Sequence, residues 1–289
     1  MGTWLAVLCA LLAAASNAMA TVLQRKAARN VPLAPGLRLG LVVDLLRRPA
    51  WLGGMLAVIA AAFFQALALS EGALSIVQPL FVLELPLALL AGRLLLGGRM
   101  ARSGWAGVVC VVGGLGLALG AAAPSAGTDH TTTPRWIVAL VICAVVLAAI
   151  VGWATQRPAG SARAACFAGA SAIGYALTAA LMKDATHAWQ TGGAGAFFTS
   201  WQTYGFALVG ALSLFMLENT MQSGPLTASQ PVLTLGDALV SLCLGVTLYS
   251  ESIRTGAWVL PEAIGVALVL TGAVVLSRAP LTRSVVGSG

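Results

Sequence analysis

The sequence predicts an all-α polytopic membrane protein, about nine transmembrane helices in two inverted-topology repeats. Three observations carry that prediction. Of the 289 residues, 59% are hydrophobic and only 9% charged, where a soluble domain carries about 25% charged residues. The apolar residues come in long unbroken runs, the length a helix needs to cross a hydrocarbon layer about 30 Å thick, and not the alternating segments of about ten residues that build membrane strands. Finally, GALSIVQPL (72–80) returns as GPLTASQPV (224–232), both of the form G-x-L-[Ser/Thr]-x-x-Gln-Pro, at an offset of 224 − 72 = 152 residues.

The runs are read as spans in chain order. Span 1 covers 3–23 and ends on Arg25, Lys26 and Arg29. No basic residues precede it, so it is kept as a span and not as a cleaved leader, although NAMA (17–20) has the small-residue pattern of a cleavage site. Asn17, Thr21 and Gln24 form a polar stripe along it. Segment 37–46 is short and interrupted by Arg38 and Asp44, so it reads as a helix lying on the membrane surface. Span 2 (50–70) holds one strongly polar side chain, Gln65. Span 3 (74–96) carries Gln78, Pro79, Glu84 and Arg93. Arg93 lies nine residues after Glu84 on the opposite face, where it can snorkel to the boundary. Span 4 (104–123) is rich in glycine, and Gly116 and Gly120 make a G-x-x-x-G that permits close helix contact within the chain or across a homodimer. Span 5 (136–154) is a plain apolar connector. Span 6 (162–182) brings Ser171, Tyr175 and Thr178, and span 7 (196–217) Gln202 and Tyr204. Span 8 (227–249) is the most patterned: Thr227, Gln230, Thr234, Asp237 and Ser241 follow a 3-4-3-4 spacing that puts all five on one helix face. Span 9 (258–277) contains Gly265 and Gly272.

The offset lays span 2 on span 7, span 3 on span 8, span 4 on span 9 and, with slippage, span 1 on span 6. Each partner is five spans away, an odd number, so the second half crosses upside down. The predicted organisation is a first repeat over 1–123, a connector over 124–161 containing span 5, and a second repeat with a short tail over 162–289. Inverted repeats of this kind typify secondary transporters, whose site lies near the bilayer midplane between the halves.

Charge fixes the expected orientation. Arg25, Lys26, Arg29, Arg38, Arg47, Arg48, Arg99, Arg102, Arg157, Arg163, Arg278 and Arg283 fall on one side, and only Arg135, Lys183 and Arg254 on the other. Basic residues favour the cytoplasmic face. The expectation is a multi-pass protein of the plasma (inner) membrane with its N-terminus outside and its C-terminus cytoplasmic. The net charge of +7 is thereby absorbed by topology and is no nucleic-acid signal, since nucleic-acid binders cluster their basic residues on a soluble face. All eight Trp lie near span ends or between spans, as interfacial belts require.

Proline inside a span removes one backbone hydrogen bond, and in lipid the freed carbonyl needs protein or a water-filled cavity. Pro79 and Pro231 are expected to break spans 3 and 8 at equivalent depths, with the amides of Gln78 and Gln230 beside the breaks. A charge in mid-bilayer costs about 2.5–3.5 kcal/mol on insertion scales and marks function by default. Glu84 in span 3 and Asp237 in span 8 sit one place apart under the offset, so each half brings one carboxylate to nearly the same depth. Two acids in a low-dielectric site require a proton or a cation between them. The candidate substrate- or ion-binding residues are Gln78, Glu84, Gln230, Thr234 and Asp237, with Asn17, Gln65 and Tyr175 as a second set. Glu218, Glu251 and Glu262 lie near span ends and are expected to be solvated.

No catalytic residues, cofactor or defined metal ligands are read from the sequence. It contains no G-x-x-x-x-G-K-[Ser/Thr] for a nucleotide and no nucleophile elbow or H-E-x-x-H. The five cysteines fall inside apolar spans without a C-x-x-C and read as small buried residues. His130 and His187 lie in outside links, near Asp129 and Asp184, and are the only candidates for a membrane enzyme.

TVLQRKAAR (21–29), WLGGM (51–55), ALSEGALSIVQPL (68–80), LTASQPV (226–232) and LYSES (248–252) together resemble the drug/metabolite transporter (EamA-like) superfamily, and within it most resemble the NIPA-type magnesium transporter-like branch. The likeness extends over nearly the whole chain through short motifs. It implies nine spans, alternating access and a Glu closing the eighth helix, which here is Glu251. AAFFQ (61–65) stands where that branch often has an acidic residue and Asn, and Arg99 where the superfamily often ends the first repeat's corresponding helix with Glu. The expected function is a secondary transporter of a small polar or cationic solute embedded in the lipid bilayer. A divalent cation (magnesium) transporter is the first alternative, and a non-transporting membrane subunit or membrane enzyme the second.

Overall fold

The computed structural model describes residues 2–28, 49–96, 101–125, 127–224 and 226–278. The surface helix expected over 37–46 lies outside these residues. Among the described residues nine helices are long and apolar enough to cross a membrane, and the one strand-like feature is an isolated antiparallel bridge between Ser125 and Ser252. The protein is an all-α polytopic membrane protein. Its outer surface says the same: Ile137, Val138, Val141, Ile142 and Val145 of span 5 are all exposed, an apolar face that only lipid can cover.

The helices are Gly2–Ala28 (span 1), Pro49–Glu71 (span 2), Arg102–Ala122 (span 4), Thr133–Thr155 (span 5), Ser161–Thr199 (span 6), Trp201–Ser223 (span 7) and Leu226–Tyr249 (span 8). Span 3 has three pieces: helix Leu74–Leu80, a 3-10 turn Phe81–Leu83 and helix Glu84–Leu96. Span 9 is the turn Gly256–Trp258 running into helix Val259–Ser277.

Several expectations are corrected. Span 6 is far longer than 162–182. Its 39 residues would reach about 58 Å at 1.5 Å per residue, well beyond the hydrocarbon layer. The helix is interrupted at Gly193, whose φ of 65° is left-handed and suits a residue without Cβ. The paired helix breaks also differ. Span 3 breaks after Pro79, but span 8 runs as one helix through Pro231. Both prolines sit sixth in their helices, so position alone does not decide it. Span 3 has a second proline, Pro86, whose ring crowds the carbonyl four residues back, at Val82, and disfavours helical backbone at Leu85. The 3-10 turn Phe81–Leu83 lies where that crowding falls. Under the offset, span 8 has Ala238 there and stays helical.

Packing follows the duplication. Span 1 packs on span 2 and span 6 on span 7; span 1 meets span 3 and span 6 meets span 8; spans 4 and 9 pack on each other, as do spans 3 and 8. Shifting every number by five turns these pairs into one another, as exchange of two halves would; span 2 also packs on span 6, and among the described residues that contact has no comparable counterpart between spans 7 and 1. Spans 4 and 9 run antiparallel: a Cβ on Gly107 would meet Leu276 and the Gly272 carbonyl, and one on Gly114 would come within 2.6 Å of the Gly265 carbonyl. The two glycines on each helix are seven residues apart, so the backbones approach closely at two points two turns apart, with Val111, Leu268 and Leu276 filling the space around them. These glycines make the crossing. Gly116 and Gly120 do not, having nothing within 4 Å. Trp136 also departs from the interfacial belt, being fully buried.

Candidate functional site

Two polar groups stand out in the apolar bundle. The first lies at mid-depth between spans 1, 3, 6 and 8. Glu84 opens the helix that follows the break in span 3, its own N–H bonded back to the Phe81 carbonyl of the 3-10 turn. Asn17 of span 1 donates to its Oε2 through Nδ2 at 2.8 Å. On span 8, Ser241 lies 3.4 Å from Asp237 Oδ1 and donates weakly to it. Glu84 and Asp237 are both half-buried. Tyr175 of span 6 is within electrostatic range of both, and of Glu218. A Cβ on Gly236 would come within 2.9 Å of Ala172 Cβ, so spans 8 and 6 touch just before Asp237. Each half thus presents its own acid against its own first helix, Glu84 against span 1 and Asp237 against span 6. Among the described residues neither acid takes part in an ion pair.

The other candidates sort around this pair. Gln78 is buried in the turn before Pro79. Gln230 is half-buried, and its carbonyl accepts the Thr234 hydroxyl at 2.9 Å. That hydroxyl is bonded back to its own helix. Gln65 is half-buried on span 2, and among the described residues no hydrogen bond joins it to the rest. An apolar cavity of about 70 Å³ between spans 3, 4, 8 and 9 is lined by Pro79, Leu119, Leu239 and Val266, with Ser75 and Glu262 as its polar contributions. Glu84 and Asp237 are not among its lining residues.

The second group was not anticipated as a unit. Glu251, expected to be solvated, is 2% exposed. Its Oε1 accepts the backbone N–H of Leu74 at 2.7 Å and its Oε2 that of Ser75 at 2.9 Å, the first two amides of span 3. Lys183, read as a link residue, is also buried and donates to Glu251 Oε1 at 3.2 Å and to the Gly72 carbonyl at 3.0 Å. Its ammonium lies 4.7 Å from the centre of the Tyr249 ring, whose hydroxyl donates to the Ala180 carbonyl at 2.6 Å. Local sequence explains how Glu251 arrives there. Span 8 ends with Ser250 in the left-handed region (φ 54°), and the Glu251 N–H returns to the Gly245 carbonyl, six residues back, at 3.1 Å, so the chain folds back over the helix end after a left-handed stop. The reversal swings the carboxylate back against Gly245, where a Cβ would collide with it.

Neighbouring contacts reinforce that end. Ser125 N–H donates to the Ser252 carbonyl at 2.9 Å, Thr128 N–H to the Tyr249 carbonyl at 2.7 Å and Arg254 N–H to the Ala122 carbonyl at 2.8 Å. Arg135 donates to Ser250 Oγ at 2.9 Å, and Trp136 Nε1 to Asp184 Oδ2 at 2.6 Å. His130 and His187, distant in sequence, stack at 4.8 Å between ring centres beside Asp184. Among the described residues no cluster of three or more His, Cys, Asp or Glu is placed to hold a metal ion. All five cysteines are free; Cys9 and Cys143 are buried as expected, whereas Cys243 is exposed.

Sequence spacing found Glu84, Asp237 and Asn17 because each is a polar residue inside an apolar run. It missed Lys183 and Glu251 because they lie at run ends, where water is the ordinary partner. The motif likeness that singled out Glu251 was the one available signal.

No family model matches the chain, and no solved structure matches it. It is similar to an uncharacterized protein of Corynebacterium glutamicum, 29% identical over 281 residues that cover 95% of each chain.

Proposed function

We propose that the protein is a secondary membrane transporter of the drug/metabolite type, working by alternating access around the midplane acids. The observation that carries this reading is that each half supplies one half-buried carboxylate inside a span, Glu84 bonded to Asn17 of span 1 and Asp237 to Ser241 of its own helix, and that among the described residues neither is ion-paired. Two acids at mid-depth, with no cationic partner among the described residues, demand an occupant, either a coupling proton or a positively charged solute. The packing pattern supports it too, because inverted halves meeting at spans 3 and 8 give two equivalent ways of closing around one site. The substrate class is a small polar or cationic solute, and the membrane is the plasma (inner) membrane, with the Glu251 end outside. A magnesium-specific site is the weaker variant, since a hard cation prefers six oxygen ligands and this group offers two carboxylates, one Asn and one Tyr.

The test is uptake and efflux in reconstituted vesicles across divalent cations, amines and amino acids, with and without a proton gradient. Glu84→Gln and Asp237→Asn should each leave a monodisperse protein and cut flux at least about tenfold, equivalent to about 1.4 kcal/mol. Variants that lose assembly together with flux would point to a structural subunit instead.

A further inference from the structure

We propose that Glu251 and Lys183 form a gate: a releasable latch that holds the start of span 3 to the second half and closes the bundle at that end. The proposal rests on the transport reading for its purpose but not for its test. The carboxylate belongs to the stretch after span 8, the ammonium to span 6, and the groups they hold, Leu74 N–H, Ser75 N–H and the Gly72 carbonyl, to the first half. Every bond in the group therefore crosses between halves or supports one that does. Span 3 is also the helix built to move. Its first piece, Leu74–Leu80, is separated from the rest by the 3-10 turn Phe81–Leu83, so it can swing without dragging Glu84 and the following helix.

The chemistry suits a latch better than a permanent joint. A permanent joint in a membrane interior is made most cheaply by close apolar packing, as spans 4 and 9 do. A buried ion pair repays its desolvation only when geometry is good and both charges are fully hydrogen-bonded. Here the closed arrangement comes near that condition: the carboxylate takes two amides and an ammonium, and the ammonium has two oxygens and the face of the Tyr249 ring. If the first piece of span 3 swings away, water entering from that end can solvate all the separated groups. The latch is therefore stable shut and tolerable open, but poor in any partly open, dry state. That steepness is what a two-position gate needs.

The test reads access and not flux. In a chain with its five cysteines changed to serine, Ser75→Cys places a thiol at a position that is 1% exposed and directly behind the latch. A charged, membrane-impermeant methanethiosulfonate reagent is applied to whole cells and to inverted vesicles. With the latch intact, labelling is slow from both sides. Glu251→Gln and Lys183→Met should each raise labelling about tenfold, and only from the side that carries residue 251, corresponding to about 1.4 kcal/mol of lost closure. The exchange of charges, Lys183→Glu with Glu251→Lys, keeps an ion pair but cannot accept the two amides, so labelling should stay fast. If the neutral variants do not fold, Glu251→Asp retains the charge with a shorter reach and should give the same sided increase. Unchanged labelling in a folded variant, a rise from both sides alike, or protection restored by the charge exchange would each overturn the proposal. Sided access that rises without flux for any solute would leave the latch standing and remove the transport reading; flux with unchanged access would do the reverse.

Discussion

Two of the helix crossings that join the halves of this molecule are made of opposite materials. Spans 4 and 9 meet backbone to backbone at Gly107, Gly114, Gly265 and Gly272, with no side chain that could let go by taking up water. Spans 3 and 8 meet through a broken helix whose first amides are held by a carboxylate from beyond the end of span 8. The difference teaches where motion can occur. The glycine crossing resists any separation because its attraction is dispersion, which is lost over a fraction of an ångström. The polar crossing has a second stable state, because each of its groups is as well satisfied by water.

The comparison is broken most severely at the glycines. Gly114→Leu should abolish folded protein in detergent, seen as loss of the monodisperse peak in size-exclusion chromatography. Its Cβ alone would come within 2.6 Å of the Gly265 carbonyl and 2.7 Å of Leu268 Cβ, and the facing atoms are mostly backbone that cannot step aside. Gly116→Leu, two residues on and facing open space, should leave that peak unchanged. If both variants behave alike, the crossing is misassigned. A smaller effect is expected at the polar crossing. Gly245→Ala should lower stability by about 1–3 kcal/mol, the usual cost of an overpacked site, because the new methyl collides with the Glu251 carboxylate. A thermal melt followed by tryptophan fluorescence would read it, and Lys183→Met should then add little, since the pair is already disturbed. Weaker again, Asn17→Ala removes the donor to Glu84 Oε2 and should cost about 1–2 kcal/mol, with the larger change in flux and the smaller in the melt. The smallest effect is at Ser250, whose left-handed backbone costs a non-glycine residue roughly 1 kcal/mol. Ser250→Gly should raise the melting temperature by a degree or two at most, because it also gives up the hydrogen bond from Arg135.

Much of the fold was legible because membrane insertion is a local property. A run such as 136–154 declares its span without reference to any other residue, and Glu84 and Asp237 declare themselves by standing inside such runs. Pro86 shows where legibility stopped. It stood in the sequence beside the duplicated Gln-Pro motifs, but only comparison of spans 3 and 8 as folded helices reveals that the span with two prolines is broken and that a single proline leaves the other a continuous helix. The glycines teach the same lesson. The G-x-x-x-G of Gly116 and Gly120 fits the close-packing pattern by spacing, while the contact is made by Gly107 and Gly114, both of them outside that motif.

What the sequence alone determined is the solvent, the number of the spans, the place of all but the sixth, the repeat of the Gln-Pro motif and the two acids inside spans 3 and 8. Each follows from the water-to-lipid transfer of residues taken singly or in short runs. What only the tertiary structure decided is the partnership of residues far apart in the chain. Glu251 meets amides that precede it by 177 and 176 residues, and His130 stacks on a histidine 57 positions later (187 − 130). Those meetings depend on the register between helices. Register is set by the sum of all their contacts, and no short stretch of sequence contains it.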